Sequence, residues 1–261
     1  MFTVERRQQV REQLLERARA DERITGAALT GSAARDAEDR WSDVDLFFGT
    51  GTGPVTEVLA DWSTYVYDTL GALHHFDLRA GPAVYRAFLL PELLEVDLGF
   101  TPAASFGPLG EGAFRVVFGE ATTQPATHPR TTLSGASGPS ASELSGPSER
   151  DHLTGLAWHH VLHARISLER GARWQAEHWI SAVRDHVLTL ACLSLGLPSA
   201  YAKGADRLPP AVTGPLEETL VRSLDRPELA RALRAVTTVL VREAQPPDAL
   251  TRALLDLTEG A

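Results

Sequence analysis

An α+β architecture, a mixed-sheet domain followed by an α-helical bundle, is what this sequence predicts, on three observations. Strand-like and helical segments alternate up to about residue 122. A stretch rich in Pro, Ser, Gly and Thr then interrupts the pattern, and beyond it only helical periodicity remains. The resulting plan is a sheet domain over residues 1–122, a flexible linker over 123–149 and a helical domain over 150–261.

Each element has its own signal. Val10, Leu14 and Leu15 fall at helical spacing among Glu, Gln and Arg in the segment 4–21. Ile24–Thr30 reads as a short strand ended by Gly31-Ser32, and Asp43–Phe48 as a second strand with a Gly-rich exit. Val55–Leu70 predicts a helix, His74–Arg79 and Arg86–Leu90 strand pieces, and Glu92–Phe100 a stronger strand. In the C-terminal half, helices are expected over Asp151–Arg170 and Arg173–Leu195, stopped by Gly171 and by Gly196 with Pro198. Leu216–Ser223, Pro227–Glu243 and Asp248–Leu257 complete the expected bundle.

Composition narrows the function. With 43% hydrophobic and 23% charged residues, wholesale disorder is excluded. The 34 acidic against 25 basic residues give −9, which argues against nucleic acid as a partner, because such binding neutralises phosphates with Lys and Arg. No apolar run approaches the ~20 residues of a membrane span, and the N-terminus shows no apolar signal segment. The single cysteine, Cys192, forms no intrachain disulfide and reads as a small buried hydrophobe. A cytoplasmic protein with no membrane partner is the expectation.

The chemistry concentrates in residues 29–48. Gly31 lets the backbone approach a ligand closely and Ser32 adds a hydroxyl. A helix beginning at residue 33 would aim free N–H groups at a phosphate over the turn. Asp43 and Asp45 stand two apart on a strand, so both project from one face with Cα atoms ~6.5–7 Å apart. Paired carboxylates at that spacing suit a hard cation such as Mg²⁺, while Val44 points into the core. Taken alone, the pair also fits an exposed edge with solvated charges.

Gly31-Ser32 followed by Asp43-Val44-Asp45 resembles the signature of the nucleotidyltransferase superfamily typified by DNA polymerase β. The shorter members that adenylylate antibiotics, the aminoglycoside and lincosamide nucleotidyltransferases, are the closest in plan. The resemblance covers roughly residues 24–100. It implies a fold with a nucleotidyltransferase sheet domain, an NTP substrate (ATP foremost) bound with Mg²⁺, and transfer of a nucleoside monophosphate to a hydroxyl with release of pyrophosphate. It also implies a third carboxylate on a neighbouring strand. Asp97 is the first choice, Glu95 on the same face the fallback, and Asp77 a third candidate. Two metals ~3.5–4 Å apart, bridged by Asp43 and Asp45, would serve the transfer. Asp36 stands where relatives commonly carry a Gly, which bears on the loop's shape.

Further residues are softer candidates. Lys203 is the one lysine of the chain, every other basic side chain being Arg, and a compact ammonium suits a triphosphate. Arg35 and Arg40 lie between the two motif halves, within reach of a phosphate, and read as solvated surface in preference to that role. Glu177, Ser181 and Arg184 share a helix face flanked by Trp174; contact with nucleotide or acceptor and salt bridging at the core rim are both open, with Arg184 the nucleotide candidate. His152, His159 and His163 form a stripe, read as a polar face in preference to zinc ligands. The leading acceptor is a small hydroxylated molecule, an antibiotic by resemblance, with a homodimer implied by relatives that build their sites between subunits. The alternatives are an antitoxin-type protein adenylyltransferase and a non-catalytic nucleotide-binding protein.

Overall fold

The computed structural model describes residues 1–51, 53–108, 110, 112–122 and 149–259. The chain forms two compact units, Met1–Ser140 and Ala141–Ala261. The linker expected over 123–149 lies outside the described residues, apart from Glu149, which opens a helix. The architecture is α+β, with a six-stranded mixed sheet in the first unit and only helices in the second among the described residues.

The first unit runs α1 (Val4–Ala20), β1 (Ile24–Leu29), β2 (Val44–Thr50), α2 (Val55–Leu70), β3 (His74–Ala80), β4 (Ala83–Leu89), β5 (Glu95–Pro102) and β6 (Arg115–Phe118). Thr3 caps α1 by accepting from the Arg6 N–H at 3.1 Å, and Gly71 ends α2 at φ 74°. The strand order is β3-β4-β5-β2-β1-β6, with β2 and β5 parallel and the other neighbours antiparallel. One face carries Val44, Leu46, Phe48, Val96, Leu98 and Phe100, which join Val10 and Leu14 of α1 and Trp62 and Val66 of α2 in the main core. The other face carries a smaller cluster of Ala28, Phe47, Ala83 and Phe106. Two helices fully occupy one side of the sheet, so the remaining side is where polar chemistry can sit.

Two strand expectations need correction. The strand expected from Glu92 begins at Glu95, because Glu92 and Leu93 both take φ 65° in a short 3₁₀ turn that breaks strand pairing. Edge strand β6 went unread, since Arg115-Val-Val-Phe118 is short and shows no apolar alternation.

The second unit comprises α3 (Glu149–Glu169), α4 (Arg173–Ser194), α5 (Pro210–Glu217), α6 (Arg226–Ala244) and α7 (Asp248–Glu259). Trp158, Val161, Ile180, Val183, Val187, Leu233, Val236 and Leu254 are all buried. Cys192 is buried at 1% exposure. The helix expected over 216–223 lies earlier, over Pro210–Glu217. Proline at its start favours the first turn, and Arg231 takes the Leu220 carbonyl at 2.8 Å just past its end. No described helix is long and apolar enough to cross a membrane.

Arg7 fastens α1 to the loop before β2. It is 3% exposed, donates to the carbonyls of Asp39 at 2.5 Å and Ser42 at 3.0 Å, and lies 3.2 Å from a Glu38 carboxylate oxygen. Arg7→Ala is expected to cost roughly 1.5–3 kcal/mol, the worth of hydrogen bonds to a charged group, read as a lower urea midpoint with unchanged slope. His75 of β3 accepts or donates at 2.8 Å to the Tyr67 hydroxyl, and burial, aided by the Arg86 charge, lowers its pKa to about 4. Between that value and the ordinary ~6.5 an unfolded His75 binds more protons than a folded one, so its contribution to stability falls as pH drops through this window. Urea unfolding from pH 7.5 to 4 should show that slope in the parent and a flatter one in His75→Phe.

Candidate functional site

Parallel pairing of β2 with β5 brings the acids together. Asp45 and Asp97 are direct register partners, and Asp43 stands immediately before β2. One carboxylate oxygen from each of Asp43, Asp45 and Asp97 lies within 4.8 Å of the others, all three residues being half-buried. Neighbouring strands share a face at register positions, so the pairing turns Asp45 and Asp97 away from the helix-covered core.

The turn after β1 closes over this group. The Thr30 N–H donates to the Asp45 carbonyl at 3.3 Å, and Gly31 follows at φ 57°. A Cβ on Gly31 would fall 2.0 Å from Asp45 Oδ2, so a side chain is barred by both space and backbone angle. Ser32 comes next, and its Oγ is shielded from solvent with no hydrogen-bond partner, as is Asp97 Oδ1. Such groups are costly unless a ligand answers them. Gly99, beside Asp97 on β5, has the same function for rings: a Cβ there would meet Phe47 at 2.4 Å and Tyr85 at 2.7 Å.

The helix expected from residue 33 is only a 3₁₀ turn over Ala33–Arg35. Asp36 ends it at φ 53°, the left-handed region that Gly favours and Asp tolerates, and its carboxylate pairs with Arg115 at 2.6 Å. The loop therefore keeps the backbone shape a glycine would give. The turn offers no helix N-terminus to a phosphate, since the N–H groups of Ala34, Arg35 and Asp36 already donate to the carbonyls of Thr30, Ser32 and Ala33.

Electrostatics show how poorly the bare carboxylates tolerate one another. Burial pushes Asp45 well above the usual carboxylate range, and the neighbouring Asp43, by charge and hydrogen bond, and Glu95 push it further. Asp97 is raised first by burial, then by Glu95, Asp45 and Asp43. Three oxygen donors, one of them orphaned, match a hard divalent cation such as Mg²⁺.

The other candidates are distributed as follows. Glu95 lies on the Asp97 face, buried, two residues earlier on β5. Asp77 is on β3 in register with Arg86, which lies opposite Leu98, and so belongs to the helix-covered face. Arg86 grips Asp77 with two bonds of 2.6 and 2.7 Å, so Asp77 is removed from the candidates. Arg40 stacks on Trp41 at 4.1 Å. In the helical unit Arg184 donates to Ser181 Oγ at 2.8 Å and to the Thr219 carbonyl at 3.1 Å, while Ser181 donates to Glu177 at 2.7 Å. That chain of bonds links α4 to the end of α5. Lys203 follows an exposed Tyr201, with its ammonium 5.9 Å from the ring centre.

Tyr85 was missed by sequence reading, which began that strand at Arg86. It stacks on Phe47 at 5.5 Å, and its phenol is raised by burial and then by Asp45 and Asp97. With Thr30, Gly31, Arg35, Phe47 and Phe114 it lines a cavity of about 170 Å³. A tyrosine on a strand carries no sequence signal that separates a site wall from a core filler.

No family model and no curated protein matches this chain. Among solved structures it is similar to an aminoglycoside 6-adenyltransferase from Bacillus subtilis, with 14% identity over 95% of this chain and 92% of that chain and a TM-score of 0.34. At that level of likeness, chemistry has to be read from the side chains themselves.

Because a cation must displace protons from the raised carboxylates, Mg²⁺ affinity should weaken as pH falls through their titration, measured by calorimetry from pH 8.5 to 5.5. Gly31→Ala should abolish measurable Mg²⁺ binding by driving the Asp45 carboxylate aside while leaving the far-UV circular dichroism unchanged.

Proposed function

We propose that this protein is a Mg²⁺-dependent nucleotidyltransferase that moves a nucleoside monophosphate, AMP foremost, from an NTP to a hydroxyl of a small molecule. The observation that carries this reading is the group of three carboxylates, within 4.8 Å across parallel strands, set beneath the Gly31-Ser32 turn. Asp43, Asp45 and Asp97 would hold Mg²⁺, which when bound supplies positive charge to the phosphate oxygens. Ser32 Oγ donates to a phosphate oxygen, and Gly31 leaves room for the triphosphate to lie against the turn. Asp97 takes the proton of the acceptor hydroxyl as the hydroxyl oxygen bonds to the α-phosphorus and pyrophosphate departs. Arg184 and Lys203 are the proposed further contacts to the triphosphate. An antibiotic acceptor belongs to this proposal through the sequence resemblance alone.

The test is pyrophosphate release with four NTPs against a panel of hydroxylated antibiotics and metabolites. Asp45→Asn is expected to lower the rate about 10²–10³-fold, the scale seen when one preorganised electrostatic group is removed. Unchanged turnover in Asp43→Ala/Asp45→Ala would sink the reading. AMP appearing on lysate proteins by mass spectrometry would move the acceptor from small molecule to protein.

A further inference from the structure

Six of the nine histidines in the chain lie on α3 and α4: His152, His159, His160 and His163 on the first, His178 and His186 on the second. Four of them gather around one indole, with ring centres of His160, His178, His163 and His159 at 4.8, 5.0, 5.3 and 6.1 Å from Trp179. Within the group one pair bridges the two helices. His160 and His186 stack with centres 4.9 Å apart, and Nδ1 of His160 is 3.1 Å from Nε2 of His186.

We infer that His160 and His186 form a binding site for a borderline-soft divalent transition metal, Zn²⁺ in the first instance, that cross-links α3 to α4. With Zn–N bonds of ~2.0–2.1 Å, two nitrogens 3.1 Å apart subtend roughly 95–100° at the ion, between the octahedral and tetrahedral values. The charges that act on these two rings come from other imidazoles, those of His152, His159, His163 and His178. Imidazole selects Zn²⁺, Ni²⁺ or Cu²⁺, whereas the oxygen-only group on the sheet selects Mg²⁺, so ligand softness sorts the two ions. Burial holds both imidazoles neutral, His160 down to about 2 and His186 to about 4; the two facing nitrogens share a hydrogen bond, and a metal would replace its proton once the donor ring shifts that proton to its other nitrogen. Water would complete the shell around the two imidazole nitrogens. The periodicity of the stripe His152, His159 and His163 directed attention one residue away from the bridging pair.

The experiment is calorimetric titration of ZnCl₂ into the metal-stripped full chain in excess MgCl₂, with thermal unfolding alongside. One zinc per chain and a raised Tm are expected. His186→Gln should weaken binding about tenfold or more and abolish the Tm gain, His186→Cys should retain both by supplying a thiolate, and His178→Gln should stay within about twofold. Loss of zinc binding in Asp45→Asn, with His186→Gln binding like the parent, would assign the ion to the carboxylates and overturn the inference. Absence of zinc binding in the parent would overturn it equally, and neither result depends on any transfer activity.

Discussion

Everything in the sheet unit answers to the repulsion among three half-buried carboxylates. Left to themselves Asp45 and Asp97 would separate or stay protonated beside Asp43, since burial removes the water that screens their charges. Register denies them the first option. Asp45 and Asp97 are tied as partners in adjoining strands, and the Gly31 turn, packed directly on Asp45, closes the remaining exit. What is left is a demand for positive charge, set by the register and the turn together. The same charges would be unremarkable on a solvated edge.

The helix-covered face makes this arrangement affordable. Leu46, Phe48, Val96, Leu98 and Phe100 are essentially fully buried and alternate with the acids along the same two strands. At about 25 cal/mol per Å² of apolar surface, such a core supplies the stabilisation against which a few unfavourable contacts can be held. Arg7 adds a polar tie from α1 to the loop that leads into β2, so the segment carrying Asp43 is anchored from outside the sheet. Packing on one side and strain on the other are two outcomes of one period-2 pattern.

Much of this was legible in the sequence. Asp43-Val44-Asp45 announces its own alternation, and the Gly31-Ser32 turn announces a close approach, because both signals are local. Asp97 was reachable by the same logic, as a carboxylate on a β-rich run, but its exact pairing with Asp45 depends on a parallel register that no local pattern encodes. What stayed hidden was non-local or irregular: the positive φ values at Glu92 and Leu93 that delay β5, the 3₁₀ turn in place of a helix after Ser32, and the edge strand at Arg115. The ion pair that removes Asp77 from the site exists only because β4 places Arg86 opposite it. His160 and His186 likewise meet only once two helices are laid side by side.

The parallel β2–β5 pair also dictates when the site comes into being. Between the two strands the chain must first complete α2 and the β3–β4 hairpin, so Asp45 waits for a partner more than fifty positions downstream. During synthesis, a chain released up to β4 would carry two of the acids and the bend but not the third. Assembly of the three-carboxylate group is thus a late event of long contact order, gated by insertion of one central strand. Occupancy by the cation would in turn hold that strand in place, coupling the last step of sheet assembly to the first step of readiness for chemistry.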